Sequence, residues 1–235
     1  MNSMSYLDDF NKRLRKNWRG SLVKVEQVKE ANAREYMHNL ARAGYVEHVT
    51  HGWYWVPDEF ESFYDFLRTD KNFKVVSRQS AASFWNNDFI HREVYSLKVK
   101  SKSYARALKA FAEKKGWHVE VQVVKDVDYM EMHGLKIEPV SESIIGCLQL
   151  WAFADAFSAL YLNRAKVRLK ELSKRAYWKR LSKTQIRVRQ ILEYGSKKIN
   201  ELAERRIFDV KEVRIYDEFI RSELDEAVEK VMELA

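Results

Sequence analysis

Seven glycines and two prolines are all that punctuate this chain of 235 residues, roughly 4% against an ordinary 12% or so. The tight turns of a multi-stranded sandwich draw on glycine for positive φ and on proline for a preset φ. So small a stock predicts a mostly helical α+β fold with only short strands. An apolar content of 46%, with 13% aromatic, supplies a real core and excludes a disordered tail. One cysteine, Cys147, excludes an internal disulfide and any all-cysteine zinc site.

The net charge of +8 is unevenly spread and divides the chain. Residues 1–56 carry nine basic and six acidic side chains, and residues 57–163 carry 14 and 15. Residues 164–206 carry 15 and four, or +11, whereas residues 207–235 carry four and nine. The expected organisation is an N-terminal winged helix-turn-helix (1–57), a small α/β domain with a linking helix (58–163), and a basic helical tail ending in a helical hairpin (164–235). Self-association through the last helix, giving a homodimer, is the alternative to that hairpin.

Hydrophobic spacing predicts a first helix from Ser5 to Trp18 and a second, short one over Lys24–Glu30. A third helix, Ala33–Ala43, carries Ala33, Met37 and Leu40 on one side and Arg34, Glu35, His38, Asn39 and Arg42 on the other. Strands Val46–Thr50 and Trp53–Val56 meet at His51-Gly52. Three helices followed by a hairpin is the order of a winged helix-turn-helix, whose third helix enters a major groove about 12 Å wide. Asn39 suits adenine, either arginine suits guanine, and His48 and His51 lie on the hairpin. The same kind of unit also serves as a protein-binding adaptor.

Further along, Asp58–Thr69 reads as the linking helix and Asp70-Lys71-Asn72 as a turn. Strands are expected at Phe73–Val76, Ile90–Lys100, His118–Val124 and around His133-Gly134, with helices opened by Ser77 and Ser101. Ile144–Leu162 holds Asp155 as its only charge and nearly reaches the length of about 20 residues that a membrane span needs. Polar interruptions and the lack of a second such stretch favour a buried central helix, Ser141–Leu162. With no signal peptide visible at residues 1–20, the expected location is cytoplasmic, with no membrane partner. In the tail, Ala165–Arg175 is helical. Ser182-Lys-Thr-Gln185 is a capping-box pattern opening a helix to Arg206, and Asp209-Val-Lys-Glu212 repeats it before a last helix. Lys166, Arg168 and Lys170 are the candidate phosphate contacts there.

Leu40-Ala-Arg-Ala-Gly-Tyr-Val-Glu-His-Val-Thr-His-Gly-Trp-Tyr-Trp-Val-Pro57 resembles the recognition helix and wing of AbiEi-type antitoxins, the DNA-binding halves of type IV toxin–antitoxin pairs. Val75-Val-Ser-Arg-Gln-Ser-Ala-Ala-Ser-Phe-Trp85 is similar to the opening of that family's second domain. Ile137-Glu-Pro-Val-Ser-Glu-Ser-Ile-Ile-Gly-Cys147 is similar to the passage that closes its small sheet. The resemblance spans roughly residues 20–165 in order and pattern; the tail is longer and more basic than the family leads one to expect. It implies a transcription regulator that binds double-stranded DNA, represses its own operon and neutralises a nucleotidyltransferase-like toxin. It further implies that Arg34, His38, Asn39 and Arg42 read bases while Lys24 and His51 lie near phosphates.

Signs of catalysis are weak, and neither an enzyme nor a cofactor is expected. Asp126, Asp128, Glu131 and His133 lie close in sequence without paired-histidine or cysteine spacing. Glu113-Lys114-Lys115 has the Glu-x-Lys form of some metal-dependent nucleases but falls at a helix end, and Cys147 sits in an apolar stretch. A nucleic-acid-processing enzyme of a mobile element, working as a metal-dependent nuclease, is the alternative to the regulator.

Overall fold

The computed structural model describes residues 3–90, 93–210 and 213–234. Among them are ten helices and two small sheets in a mixed α/β chain that is about 50% helical. The chain divides into two compact units, neither a continuous run. One takes the stretch up to Val75 with Leu97–Val127 and Glu131–Lys136; the other takes Val76–Ser96, Asp128–Met130 and the chain from Ile137 onward. This division follows contact in space, whereas that at 57/58 and 163/164 follows position along the chain.

The first unit opens with α1, Ser3–Trp18, whose Phe10 and Leu14 are buried. Gly20, at φ +73°, ends it and donates to the Val56 carbonyl at 2.9 Å. A Cβ at Gly20 would lie 2.5 Å from Thr69 Cγ2, so both the conformation and the space require glycine. The helix expected at Lys24–Glu30 is reduced to one turn. Leu22–Lys24 is strand β1, followed by that single 3-10 turn, Val25–Gln27. Leu22 and Val23 are both fully buried, as a strand allows. Within 24–30 only the half-buried Val25 and Val28 are apolar, too little packing to sustain a longer helix.

Helix α2, Ala33–Arg42, buries Ala33, Met37 and Leu40. Strands β2, Glu47–Thr50, and β3, Trp53–Trp55, form a hairpin that turns at His51-Gly52 with Gly52 at φ +69°. The antiparallel sheet has the order β1-β3-β2, with Leu22 opposite Trp55 and Lys24 opposite Trp53. Phe10, Leu14, Val23, Met37, Leu40, Val46, Tyr54 and Val56 make one core.

The linking helix is shorter than its apolar spacing suggests: α3 covers only Phe63–Thr69. Ser62 takes the cap, its hydroxyl accepting from the Asp65 amide at 3.2 Å while the Asp65 carboxylate accepts from the Ser62 amide at 3.0 Å. That reciprocal pair starts the helix. The Ser62 hydroxyl bond chiefly, then the Ser62 amide and Arg68, hold the Asp65 carboxyl below its ordinary value, against some burial. In α5, Lys102–Lys114, Ser101 accepts from the Tyr104 amide at 3.2 Å. Phe63, Phe66, Phe111 and Trp117 pack ring to ring.

The Asp70 turn is a buried hub of the first unit. Its carboxylate accepts from the Leu22 amide at 2.9 Å, the Tyr104 hydroxyl at 2.5 Å and the Asn72 amide group at 3.0 Å, and it faces the Lys74 ammonium at 3.1 Å. Lys74 also donates to the Asp70 and Asn72 carbonyls. Burial pushes the Lys74 ammonium below its ordinary value, with the Asp70 charge opposing. Burial, reinforced by that carboxylate, raises the Tyr104 phenol well above its own.

A five-stranded sheet has the order β6-β5-β4-β8-β7, formed by β4, Lys74–Val76; β5, Val94–Val99; β6, His118–Val123; β7, Met130–Met132; and β8, Leu135–Ile137. Strand β4 pairs with β8 in parallel, Val76 opposite Ile137. His133 and Gly134, at φ +51° and +74°, turn the β7–β8 hairpin, as a primed turn requires. Of the strand expected at Ile90–Lys100, His91 and Arg92 lie outside the described residues.

In the second unit the expected 141–162 helix is two helices, α6, Val140–Gln149, and α7, Phe153–Leu162. Helix α4, Arg78–Trp85, packs on both. Between them Trp151 takes φ +65°, the amides of Leu150 and Ala152 both return to the Cys147 carbonyl at 3.0 Å, and the Trp151 indole donates to the Ser182 carbonyl at 3.0 Å. These bonds take up the polar groups that the break would otherwise strand, so it needs neither glycine nor proline. No helix among the described residues is long and apolar enough to cross a membrane.

The tail holds α8, Leu169–Ala176, rather than the expected 165–175 helix. Ser182–Gln185 opens no helix: Lys183 lies at φ +64°, and a turn closes through an Arg180–Arg187 bridge. Helix α9, Val188–Leu202, starts later, where the Gln190 side chain accepts from the Arg187 amide at 3.1 Å. Helix α10, Glu218–Met232, is capped by Asp217, whose carboxylate accepts from the Ile220 amide at 3.1 Å. Of the expected Asp209–Glu212 cap, Lys211 and Glu212 lie outside the described residues. Helix α10 packs on α9 and α7. The Tyr194 hydroxyl donates to Asp225 at 3.0 Å; burial first, then that carboxylate, push the phenol up to about 12.

Candidate nucleic-acid interface

Burial of Ala33, Met37 and Leu40 fixes which side of α2 meets solvent. Arg34, His38 and Arg42 are exposed at i, i+4 and i+8, while Asn39 is half-buried. At 1.5 Å per residue the three span about 12 Å along the helix. Arg34, Glu35 and His38 share a cleft of about 600 Å³ with His48, His51 and Tyr54 of the hairpin. Arg42 lies beyond that cleft. Burial raises the Tyr54 phenol above its ordinary value, and the Arg34 guanidinium opposes the shift. The same guanidinium, acting after a backbone hydrogen bond and Lys24, helps hold the Glu26 carboxyl below its own. The charge of Arg34 is thus felt at Tyr54, which lines the cleft, and at Glu26, which does not.

Of the two remaining candidates only Lys24 sits less openly. Lys24 ends β1 with its ammonium 3.3 Å from Glu26, so part of its charge is met within the protein. The hairpin is braced from α5, where Lys114 donates to the Glu47 carboxylate and to the His48 carbonyl, both at 3.0 Å. Lys114, the middle residue of the Glu-x-Lys pattern, thus has a structural partner. His51 is exposed at the turn.

In the tail, Lys166, Arg168 and Lys170 are all exposed. Arg168 and Lys170 border a second cavity, of about 820 Å³, and Lys166 does not. That cavity adds residues that sequence reasoning missed, Lys174, Tyr177, Trp178 and Arg189. The adjacent aromatic pair directly after a basic helix was the available signal. Glu131 pairs with Lys136 at 3.3 Å, and the His133 carbonyl accepts from Arg68. Among the described residues no group of three or more histidine, cysteine or acidic side chains is arranged to hold a metal ion. Cys147 is buried. No family model matches the chain, and no curated protein matches it significantly.

Proposed function

We propose that the chain is a double-stranded-DNA-binding transcription regulator that reads its site with α2. The observation carrying this reading is the row of Arg34, His38 and Arg42, exposed over two turns of a helix whose opposite side is buried. Such a row fits the major groove in length, and arginine is the residue type best suited to guanine. The order of elements, with β1 paired to the last strand of the hairpin, supports a winged helix-turn-helix whose middle helix is reduced to one turn. His51 would then approach the backbone from the hairpin and Lys24 from the strand end. The antitoxin role, with repression of its own operon and neutralisation of a nucleotidyltransferase-like toxin, rests on the sequence resemblance alone.

The test is a fluorescence-anisotropy titration of the full chain with the duplex upstream of its own gene, beside a scrambled duplex of equal length. Arg34→Ala and Arg42→Ala are each expected to weaken binding to the specific duplex by about 1–3 kcal/mol and to narrow its advantage over the scrambled one. Specific affinity unchanged in both variants would sink the assignment.

A further inference from the structure

The basic stretch of the tail builds the larger cavity entirely within the second unit. Helix α8 buries Leu172 and Ala176 and turns Lys170 and Lys174, one turn apart, to the cavity. Arg164 and Arg168 border it from the preceding turn and Arg189 from α9. Two carboxylates also line it, and both are engaged. Glu193 accepts from Arg189 at 2.7 Å, and Asp209 pairs with Arg206. Arg168 faces Glu171 at 3.6 Å. Arg164 donates to the Tyr161 carbonyl at 2.7 Å and lies over that ring. Among the described residues, Arg164, Lys170 and Lys174 have no carboxylate partner. Three uncompensated cations in one concave site favour an anion.

The aromatic pair narrows the chemistry. The Tyr177 ring is approached by the guanidiniums of Arg187 at 4.9 Å and Arg189 at 5.7 Å. Trp178 is 82% exposed, touching the edge of Tyr177 at 4.7 Å. An indole open to solvent beside free cations pairs a stacking surface with backbone neutralisation, the two elements of single-strand recognition. A duplex hides its base faces within its own stack, whereas a single strand offers them. We propose that this cavity binds single-stranded nucleic acid, with one base stacked on Trp178 and neighbouring phosphates against Arg164, Lys170 and Lys174. This site goes beyond the duplex reading of α2 and does not depend on it.

The experiment titrates a labelled oligothymidylate of about twelve nucleotides with the full chain at low and high salt. Wild type is expected to bind, more weakly as salt rises. Trp178→Ala is expected to weaken binding by about 5- to 150-fold, Trp178→Phe to retain most of it, and the pair Lys170→Glu and Lys174→Glu to remove it. The duplex-site variants Arg34→Ala and Arg42→Ala are expected to leave it unchanged. No binding by wild type, wild-type affinity in the Trp178→Ala or lysine variants, or a Phe variant as weak as the Ala one would overturn the proposal. So would equal competition by polyglutamate, which would make the cavity a general anion site. The substituted side chains are exposed, and urea midpoints matching wild type confirm that losses are local. The duplex titration fails or succeeds independently.

Discussion

The two clefts differ in what surrounds them and in what lies beneath. The α2 cleft is walled by imidazoles and one arginine, above a unit tied together by a buried carboxylate, ammonium and phenol. The tail cavity is crowded with cations and rests on apolar packing, a single core running from Ala82 to Val231. The hub ties β1 to α5 through the Leu22 amide and the Tyr104 hydroxyl, a buried polar network that is stabilising only while every member is satisfied. The tail cavity has polar support at one wall, where the Asn200 side chain accepts from the Ile207 and Phe208 amides and donates to the Phe208 carbonyl. The strongest charge and the exposed row of α2 sit on different parts of the chain.

The largest expected effect would break this contrast at its buried side. Asp70→Ala leaves the Lys74 ammonium buried without its counter-charge and the Leu22 amide without an acceptor. The expected cost is about 3–5 kcal/mol in urea unfolding. A change below about 1 kcal/mol, the scale of an exposed ion pair, would show that the hub is not what secures the first unit.

Its counterpart in the second unit is Gly195. A Cβ there would stand 2.0 Å from Phe157 Cζ and 2.4 Å from Cε1, so Gly195→Ala forces the ring and α9 apart. The expected loss is about 1–3 kcal/mol, seen as a lower thermal midpoint, and Phe157→Leu combined with Gly195→Ala should recover part of it. Full additivity of the two substitutions would argue that the ring is not what opposes the methyl.

A third measurement sharpens the functional side. Neutralising Lys166, Arg168 and Lys170, all exposed, should lower affinity for specific and scrambled duplexes alike, and unchanged affinity would mean that the tail meets no duplex phosphate. The salt slope should fall by about one for each phosphate that is no longer neutralised. A drop confined to the specific duplex would instead place these residues at a base-reading surface.

The smallest effect is local to α3. The Asp65 carboxyl is held below its ordinary value, so its capping contribution is present above the unfolded carboxylate pKa of about 3.9. That contribution disappears as pH falls through the lower folded value. Amide exchange at the start of α3 should be slow at about pH 5 and lose protection below about pH 4, beyond the intrinsic pH trend. Asp65→Asn should remove that pH dependence.

Much of this architecture is legible in spacing. The α2 periodicity of Ala33, Met37 and Leu40 marks both its buried side and its exposed row, and Ser101 marks the start of α5. Reading by pattern fails in three places in particular, each for its own physical reason. Nothing near Trp151 announces a left-handed residue, because the bond that supports it comes from Ser182. The capping pattern at Ser182–Gln185 is genuine in composition, yet the chain uses it for a turn closed by Arg180 and Arg187. Strand β1 is hidden because three residues carry too little periodicity to show. The tail cavity was half visible: Arg168 and Lys170 stand out by charge, but Arg189 joins them only through folding.

Asp70 also imposes an order along the chain. Elements α1, α2 and the hairpin all precede residue 70 in the chain, yet the Leu22 amide finds its protein acceptor only there, at 2.9 Å. The Tyr104 hydroxyl that completes the carboxylate's shell arrives more than thirty residues later still. The segment proposed to read DNA is thus finished by residues outside it. A chain ending before Asp70 is expected to hold these elements less tightly than the full chain, seen as faster amide exchange at Leu22.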